Sequence, residues 1–194
     1  MAKGSNMKSE IDSSDGRRTD TRDKIFTVAL DVFAERGYEK ATLREIADRL
    51  GVTRPALYYH FASKEAILEA VHDQVAASFD TLIKDGKNLP RTAESRREIL
   101  RQLLMLMSGA WGRFARFAES NEAAMRDLTG ARSFIQQTER LTELLQPTRT
   151  VAGRMAARLA IGAILMIDAR SEQLGGTTAQ RRAAALQVAG NLVA

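Results

Sequence analysis

The sequence of 194 residues contains no cysteine, and it has only two histidines and three prolines. Without cysteine, the chain can form neither a disulfide framework nor a thiolate nucleophile. Only His60 and His72 could supply imidazole to a metal, so we expect no zinc site and no cofactor. Few prolines interrupt the chain, and its frequent Leu, Ala, Arg and Glu residues favour helix.

Long apolar runs are also missing. The longest uncharged segments are residues 102–112 and 183–194, which are shorter than the roughly 18–20 apolar residues that a membrane span requires. The N-terminus shows no apolar stretch of the signal-peptide type. We therefore expect a cytoplasmic protein that has no membrane partner.

The residues that are present suit a folded, basic protein. Hydrophobic residues make up 44% of the chain, which is enough for a packed core in one large domain or two small ones. The formal net charge of +5 suits a polyanionic partner. Because the arginines are spread along the whole chain, the charge alone decides little.

The first part of the chain predicts a polar arm and then a helix. Residues 1–18 mix Lys, Ser, Asp and Gly, which favours a disordered arm; acidic residues within it argue against an arm that touches DNA. A helix is expected to begin near Asp20 or Thr21 and to end at Gly37. Its apolar positions follow one helical face, namely Ile25, Val28, Ala29, Val32 and Phe33.

Two short helices are predicted next, around a glycine turn. Thr42 and Glu45 have the spacing of a capping box at the start of the first. Gly51 supplies the turn, and Thr53 begins the second helix with Pro55 in its first turn, where a missing N–H costs nothing. This arrangement is a helix-turn-helix, whose second helix can enter the major groove of DNA.

The exposed side of that second helix carries groups that suit DNA. Arg54 can donate to guanine or to phosphate. Hydroxyl groups can bond phosphate oxygens, and Lys64, at the start of the following helix, can pair with a phosphate beside that helix terminus. The hydroxyls belong to Thr42, Thr53, Tyr58 and Tyr59.

Further helices are expected along the rest of the chain. Ser63 caps one of about twenty residues, and residues 84–90 follow it as a loop. The later helices are predicted over residues 94–108, 131–145, 151–174 and 178–192.

The helix-turn-helix segment resembles the DNA-binding domain of the TetR family. The matching stretches are residues 42–47 (TLREIA), 50–52 (LGV), 56–61 (ALYYHF) and 64–65 (KE), with Ala29, Phe33, Gly37 and Tyr38 before them. The resemblance covers about Thr21 to Val71. It implies an all-α homodimer that blocks transcription from double-stranded operator DNA and releases it when a small molecule binds the C-terminal domain.

The resemblance also implies roles for residues and domains. Leu57 and Phe61 are expected in the core, while Arg54, Pro55 and Ala56 are expected to face bases. The full set of expected DNA contacts is Thr42, Thr53, Arg54, Pro55, Ala56, Tyr58, Tyr59, His60 and Lys64. The expected organisation is a disordered arm over 1–18, a three-helix DNA-binding domain over 19–66, and a helical ligand-binding and dimerisation domain over 67–194.

Apolar and aromatic residues in the second domain suggest a pocket for a small apolar or amphipathic ligand. For any one of them core packing is the better interpretation, but the group as a whole favours a pocket because the family usually has one there. The group is Leu103, Leu104, Met107, Trp111, Phe114 and Phe117.

The last two helices are rich in small residues, which let helices approach closely. We expect them to form the dimer interface as a four-helix bundle of two subunits, and packing within one subunit is the alternative. The residues expected there are Ala157, Ile161, Ile164, Leu165, Ala184, Leu186 and Val188.

An enzyme is not expected. The sequence shows no nucleophile elbow, Walker loop, paired metal ligands or dinucleotide fingerprint. Three alternatives stay open within the DNA-binding class, namely an activator, a regulator that answers a protein partner, and an architectural protein that binds DNA without sequence preference.

Overall fold

The computed structural model describes residues 7–121, 131–167 and 172–194. These residues form nine α-helices, one 3₁₀ turn at Glu172–Leu174 and no strand, which confirms the expected all-α class. The helices are α1 (Met7–Arg36), α2 (Leu43–Leu50), α3 (Arg54–His60), α4 (Lys64–Asn88), α5 (Ala93–Met107), α6 (Ala110–Ser120), α7 (Ala131–Leu145), α8 (Val151–Leu165) and α9 (Thr178–Leu192). In the described part of the chain, no helix combines the length and the hydropathy of a membrane span.

The chain divides into two compact units after Leu68, inside α4. In the N-terminal unit, one apolar face of α1 packs on α2, and α2 packs on α3. The core of this unit is built from Phe26, Phe33, Ile46, Leu57 and Ile67, all of which are fully buried. The apolar period of α1 therefore places the two short helices on a rigid support.

Helix α1 is longer than expected, because it begins at Met7 and not near Asp20 or Thr21. Once the Thr21–Arg36 part is anchored by the core, each added residue gains a backbone hydrogen bond without a new helix nucleus. The first six residues of the expected arm lie outside the described part of the chain.

In the C-terminal unit, α8 packs against α5, α7 and α9, and α9 also packs on α5. The buried core lies between these helices and includes Phe79 of α4, Leu100 and Leu103 of α5, Leu141 of α7 and Ile164 of α8. Close approach of α8 to α9 is possible because small residues of both helices, Ala157, Ala160, Ala185 and Ala189, are buried there.

The predicted loop over residues 84–90 is wrong, since α4 continues to Asn88. Gly86 is buried, and a Cβ there would lie 3.1 Å from Ile99 Cδ1 and 3.2 Å from Leu144 Cδ1. Its missing side chain therefore lets α4 pass close to α5 and α7, which outweighs the weak helix propensity of glycine.

The predicted helix over residues 151–174 is also wrong in length. Helix α8 ends at Leu165, where the Ile167 N–H bonds to the Ile164 carbonyl and tightens the last turn. Residues 168–171 lie outside the described part of the chain.

Candidate nucleic-acid interface

Local hydrogen bonds define the start of α2 and the turn that follows it. The Glu45 N–H donates to Thr42 Oγ1 at 3.3 Å, and the Thr42 N–H donates to Glu45 Oε2 at 3.1 Å, so the predicted capping box is confirmed. Gly51 has φ 68° and ψ 27°, and its N–H returns to the Asp48 carbonyl at 3.3 Å. Glycine adopts this left-handed conformation without steric cost, which permits the tight turn into α3.

Helix α3 is a short helix with one buried residue. Thr53 caps it by accepting from the Ala56 N–H at 3.4 Å, and Pro55 lies in the first turn, as predicted. Leu57 is 1% exposed, whereas Tyr58 and Tyr59 are 55% and 84% exposed. The helix is thus fixed to the unit through Leu57 and presents its other side chains to solvent.

The ion pairs near α3 neutralise the neighbouring acidic residues, so the exposed surface of α3 is positively charged. The acidic residues of α2 are paired, since Glu45 lies 3.5 Å from the Arg36 guanidinium and Asp48 lies 3.8 Å from Arg44. Helix α3 itself contains no acid, and Arg54 makes no ion pair with a described residue. Such a surface attracts the phosphate backbone of a nucleic acid.

The two threonines predicted to bond phosphate differ in what they can donate. The Thr42 hydroxyl donates to Glu45 Oε2 at 3.0 Å, so its proton is already used. The Thr53 hydroxyl accepts from Ala56 and keeps its proton available. Thr53 is therefore the better placed donor to a phosphate oxygen.

An ion pair ties α2 to α1. Arg49 donates to the two oxygens of Glu35 at 2.9 and 2.7 Å. The hydrogen bond from Arg49 holds the pKa of the Glu35 carboxyl below its ordinary value, and the same bond raises the pKa of Arg49. A bidentate pair of this kind fixes direction as well as distance, which orients α2 on α1.

Two further residues expected at DNA have neighbours in the structure. The His60 ring lies 5.5 Å from the Tyr59 ring in an edge-on arrangement. The Lys64 ammonium donates to the carbonyl oxygens of Tyr38 and Glu39 at 2.7 and 3.2 Å. Arg54, Pro55 and Ala56 are exposed.

The residues expected to line a ligand pocket come together in the C-terminal unit. The Trp111 ring lies 5.0 Å from Phe79 and 6.0 Å from Phe114, and Phe114 lies 6.4 Å from Phe117. Trp111 is half-buried, and the other members of the group are buried, namely Leu103, Leu104, Met107, Phe114 and Phe117. In this conformation they contribute to the core.

The residues expected at the dimer interface divide into three groups. Ala157, Ile161 and Ile164 are buried within their own unit, as the alternative of packing within one subunit describes. Leu165 and Leu186 are half-buried. Ala184 and Val188 are exposed.

An exposed apolar face of α8 was not predicted from the sequence. Val151, Met155, Leu159 and Met166 are all more than half exposed, and their spacing places them on one side of the helix. A groove of about 620 Å³ continues this face toward α9, lined by Met166, Leu174, Ala184 and Val188 among others. A helical wheel could have found the face, but the groove depends on how α8 meets α9.

Comparison with known proteins agrees with this geometry. The family model described as bacterial regulatory proteins, tetR family, matches residues 25–71. The activator FasR of Mycolicibacterium smegmatis is 38% identical over 84 residues, which are 43% of this chain and 37% of the relative. The A-factor receptor protein of Streptomyces griseus is 44% identical over 64 residues, or 33% and 23% of the two chains.

A third relative is the class A tetracycline repressor protein from transposon 1721 of Escherichia coli. It is 37% identical over 76 residues, which are 39% of this chain and 33% of the relative. The match therefore spans about a quarter to just over a third of the length of these curated relatives.

Solved structures extend the likeness to most of the chain. The TetR family regulator PfmR from Thermus thermophilus has a TM-score of 0.64 at 19% identity, covering 84% of this chain and 96% of PfmR. The fatty acid degradation regulator FadR from Bacillus halodurans has a TM-score of 0.61 at 17% identity, covering 87% and 94%. At these identities the likeness shows the fold alone.

The fold and the exposed α3 define a helix-turn-helix protein with a second helical unit. Its helix-turn-helix segment, residues 25–71, is that of the TetR family of bacterial regulatory proteins.

Proposed function

We propose that this protein regulates transcription by binding operator DNA as a homodimer, with α3 in the major groove. One observation carries the proposal: every side chain of α3 except Leu57 is exposed, and no acidic residue lies among them. A short, positive helix that presents its side chains to solvent suits recognition of base edges in the major groove.

Some side chains of α3 are proposed to contact DNA bases, and others the phosphate backbone of the DNA. Arg54 has no ion-pair partner among the described residues and can bond guanine in the bidentate manner. Pro55 and Ala56 offer apolar contact to a thymine methyl group. Thr53, Tyr58, Tyr59 and His60 supply donors for phosphate oxygens, which fix the register of the protein on the duplex.

A second copy of the chain is proposed to cover the exposed apolar face of α8 and the neighbouring part of α9. Met155 and Leu159 on α8, Met166 directly after it, and Ala184 and Val188 on α9 would then leave water. A symmetric dimer carries two α3 helices, and to read successive turns of DNA they must lie about 34–36 Å apart.

Dimer formation is tested by charge substitution on this face. Leu159→Glu or Val188→Glu should give a monomer in analytical ultracentrifugation, because the new carboxylate would be buried without a partner. Met105 is the matched control, since it is 74% exposed on α5, and Met105→Glu should remain dimeric. A monomeric wild type, or dimeric variants at Leu159 and Val188, would contradict the proposed interface.

We propose that a small apolar or amphipathic ligand binds near Trp111 and lowers the affinity for DNA. The aromatic cluster supplies apolar contact, and Gln137 is a buried polar side chain that donates to the Ala76 carbonyl at 3.1 Å, one turn from Phe79. To turn a mostly bound population into a mostly free one, the ligand must prefer the free state by about 5 kcal/mol. Two relatives are named for ligand response, as a tetracycline repressor and a receptor.

Trp111 is the only tryptophan in the sequence, so its fluorescence would report ligand binding at this proposed site. Amphipathic compounds that release the protein from DNA should change this fluorescence over the same concentration range. Release without any fluorescence change would place the ligand site elsewhere.

An activator is the second candidate, because the relative FasR is named as one. DNA selected from a random pool by the purified protein would first provide an operator. Transcription is then measured from a promoter with this operator placed over it or upstream of it, which distinguishes repression from activation. Repression with relief by ligand supports the proposal, and transcription that rises with protein alone supports activation.

A further inference from the structure

The ammonium group of the half-buried Lys64 is held against the loop between α1 and α2. It donates to the Tyr38 carbonyl at 2.7 Å and to the Glu39 carbonyl at 3.2 Å, and Nζ lies 4.4 Å from the centre of the Tyr38 ring. Two of its three N–H donors are thus used, and the face of the ring stabilises the charge.

Tyr38 is itself fixed from two sides. Its ring is 8% exposed and lies edge-on to Phe33 of α1, with 5.2 Å between the ring centres. Its hydroxyl donates to Glu65 Oε1 at 3.1 Å. Lys64 and Glu65, the first two residues of α4, therefore hold the same tyrosine.

The pKa of Glu65 is consistent with this arrangement. Partial burial alone would raise it, but donors outweigh that effect and hold the pKa of the carboxyl below its ordinary value of 4.5. The donors are its own backbone N–H and the hydroxyls of Ser63 and Tyr38, and the charge of Lys64 adds to them. Glu65 is thus ionised in the fold and remains an acceptor for Tyr38.

The contact joins two segments that flank α3. Lys64 follows the end of α3 at His60 by four residues, and Tyr38 and Glu39 lie in the loop between α1 and α2. Leu57 within α3 and Phe61 directly after it are buried, and the Phe61 ring lies 5.8 Å from Phe26 of α1. These apolar contacts hold α3 to the unit, but they carry little directional preference. The hydrogen bonds of Lys64 add a directional anchor just beyond the C-terminal end of α3.

We propose that Lys64 is a positioning residue, which sets the orientation of α3 and does not neutralise a DNA phosphate. This inference rests on the proposed role of α3 in DNA recognition, and it departs from the phosphate contact that the sequence resemblance implied for Lys64. Its ammonium already makes two charge-assisted hydrogen bonds and a contact with the tyrosine ring, which hold it toward the loop between α1 and α2 and leave a single N–H donor.

The inference predicts distinct changes in specific and non-specific binding. Lys64→Met keeps the aliphatic stem and removes the donors. We expect it to weaken binding to the selected operator about tenfold, which corresponds to about 1.4 kcal/mol. Affinity for scrambled DNA should change by less than about twofold, because phosphate contacts dominate there. Lys64→Arg should restore the operator preference, since a guanidinium can also donate to two carbonyls.

Salt dependence separates positioning from a phosphate contact. If Lys64 bound phosphate, Lys64→Met would reduce the slope of log affinity against log salt by about 0.9 per subunit, or about 1.8 per dimer. The inference predicts the wild-type slope. Lys40→Met is the matched control, because Lys40 is an exposed lysine of the same loop, and it should leave the ratio of operator to scrambled affinity unchanged.

A reduced salt-dependence slope in Lys64→Met would overturn the inference. An unchanged ratio of operator to scrambled affinity in the same variant would also overturn it, because Lys64 would then have a merely structural role. A wild type that shows no operator preference would overturn the proposed function and the inference together. The wild-type measurement therefore tells the two failures apart.

Discussion

The buried and exposed faces of α3 predict different effects on stability for substitutions only two residues apart. Leu57 is 1% exposed, so Leu57→Ala should remove its transfer free energy and leave a cavity, at a cost of about 2–5 kcal/mol in unfolding free energy. Tyr59 is 84% exposed, so Tyr59→Ala should change that free energy by no more than about 0.5 kcal/mol. DNA affinity should fall in both variants, but for different reasons.

Urea unfolding and operator affinity, measured on the same preparations, separate these reasons. Leu57→Ala should shift the unfolding midpoint and lose DNA binding together. Tyr59→Ala should unfold like the wild type and still bind the operator more weakly. Tyr59→Phe, which lacks only the hydroxyl, shows how much of that loss comes from a hydrogen bond to phosphate. Equal destabilisation by the two alanine variants, or full operator affinity in Tyr59→Ala, would refute the assignment of the faces.

Two further predictions concern the turn and the start of α4. Gly51→Ala should lower the free energy of unfolding, measured in urea, by about 1 kcal/mol, because φ is 68° and no atom lies within 4 Å of the new Cβ. Gly51→Asn should lower it less, since asparagine tolerates this left-handed conformation. Equal losses in the two variants would contradict a backbone origin. Because the pKa of Glu65 is lowered in the fold, its contribution is present above its ordinary pKa of 4.5 and is lost as pH falls through the folded value. Glu65→Gln should therefore lose less stability than the wild type between neutral pH and about pH 3, and an identical pH profile would remove Glu65 as the cause.

The sequence predicted the features that depend on near neighbours in the chain. Thr42, Thr53 and Ser63 cap α2, α3 and α4 as expected, because each hydroxyl bonds a backbone N–H three residues away. The left-handed turn at Gly51 is equally local. These interactions have one available partner, so spacing alone identifies them.

Features that depend on distant neighbours were not predicted. Gly86 lies within α4 because Ile99 and Leu144 fill the space beside it, and nothing near residue 86 in the sequence indicates this. The small residues of α8 predicted close packing without indicating the partner. Ala157 and Ile161 face the core of their own unit, whereas Met155 and Leu159 face solvent.

Lys64 shows the same limit within the candidate site. Its position after α3 suggested a phosphate contact, yet its ammonium bonds carbonyls 25 and 26 residues earlier in the chain. Arg54, with no such neighbour among the described residues, keeps the role that the sequence suggested for it. The location of the site was predictable from the sequence, but the role of each basic side chain within it depends on tertiary contacts.

The central claim, that the protein recognises a DNA sequence through α3, is tested most directly by comparing two affinities at one salt concentration. Operator DNA selected from a random pool and scrambled DNA of the same length are bound by the wild type and by Arg54→Met. The account predicts a pseudo-palindromic operator preferred roughly a thousandfold or more by the wild type, with the preference reduced by about 1–3 kcal/mol per half-site in Arg54→Met. Equal affinity of the wild type for both DNAs, or an undiminished preference in the variant, would contradict it.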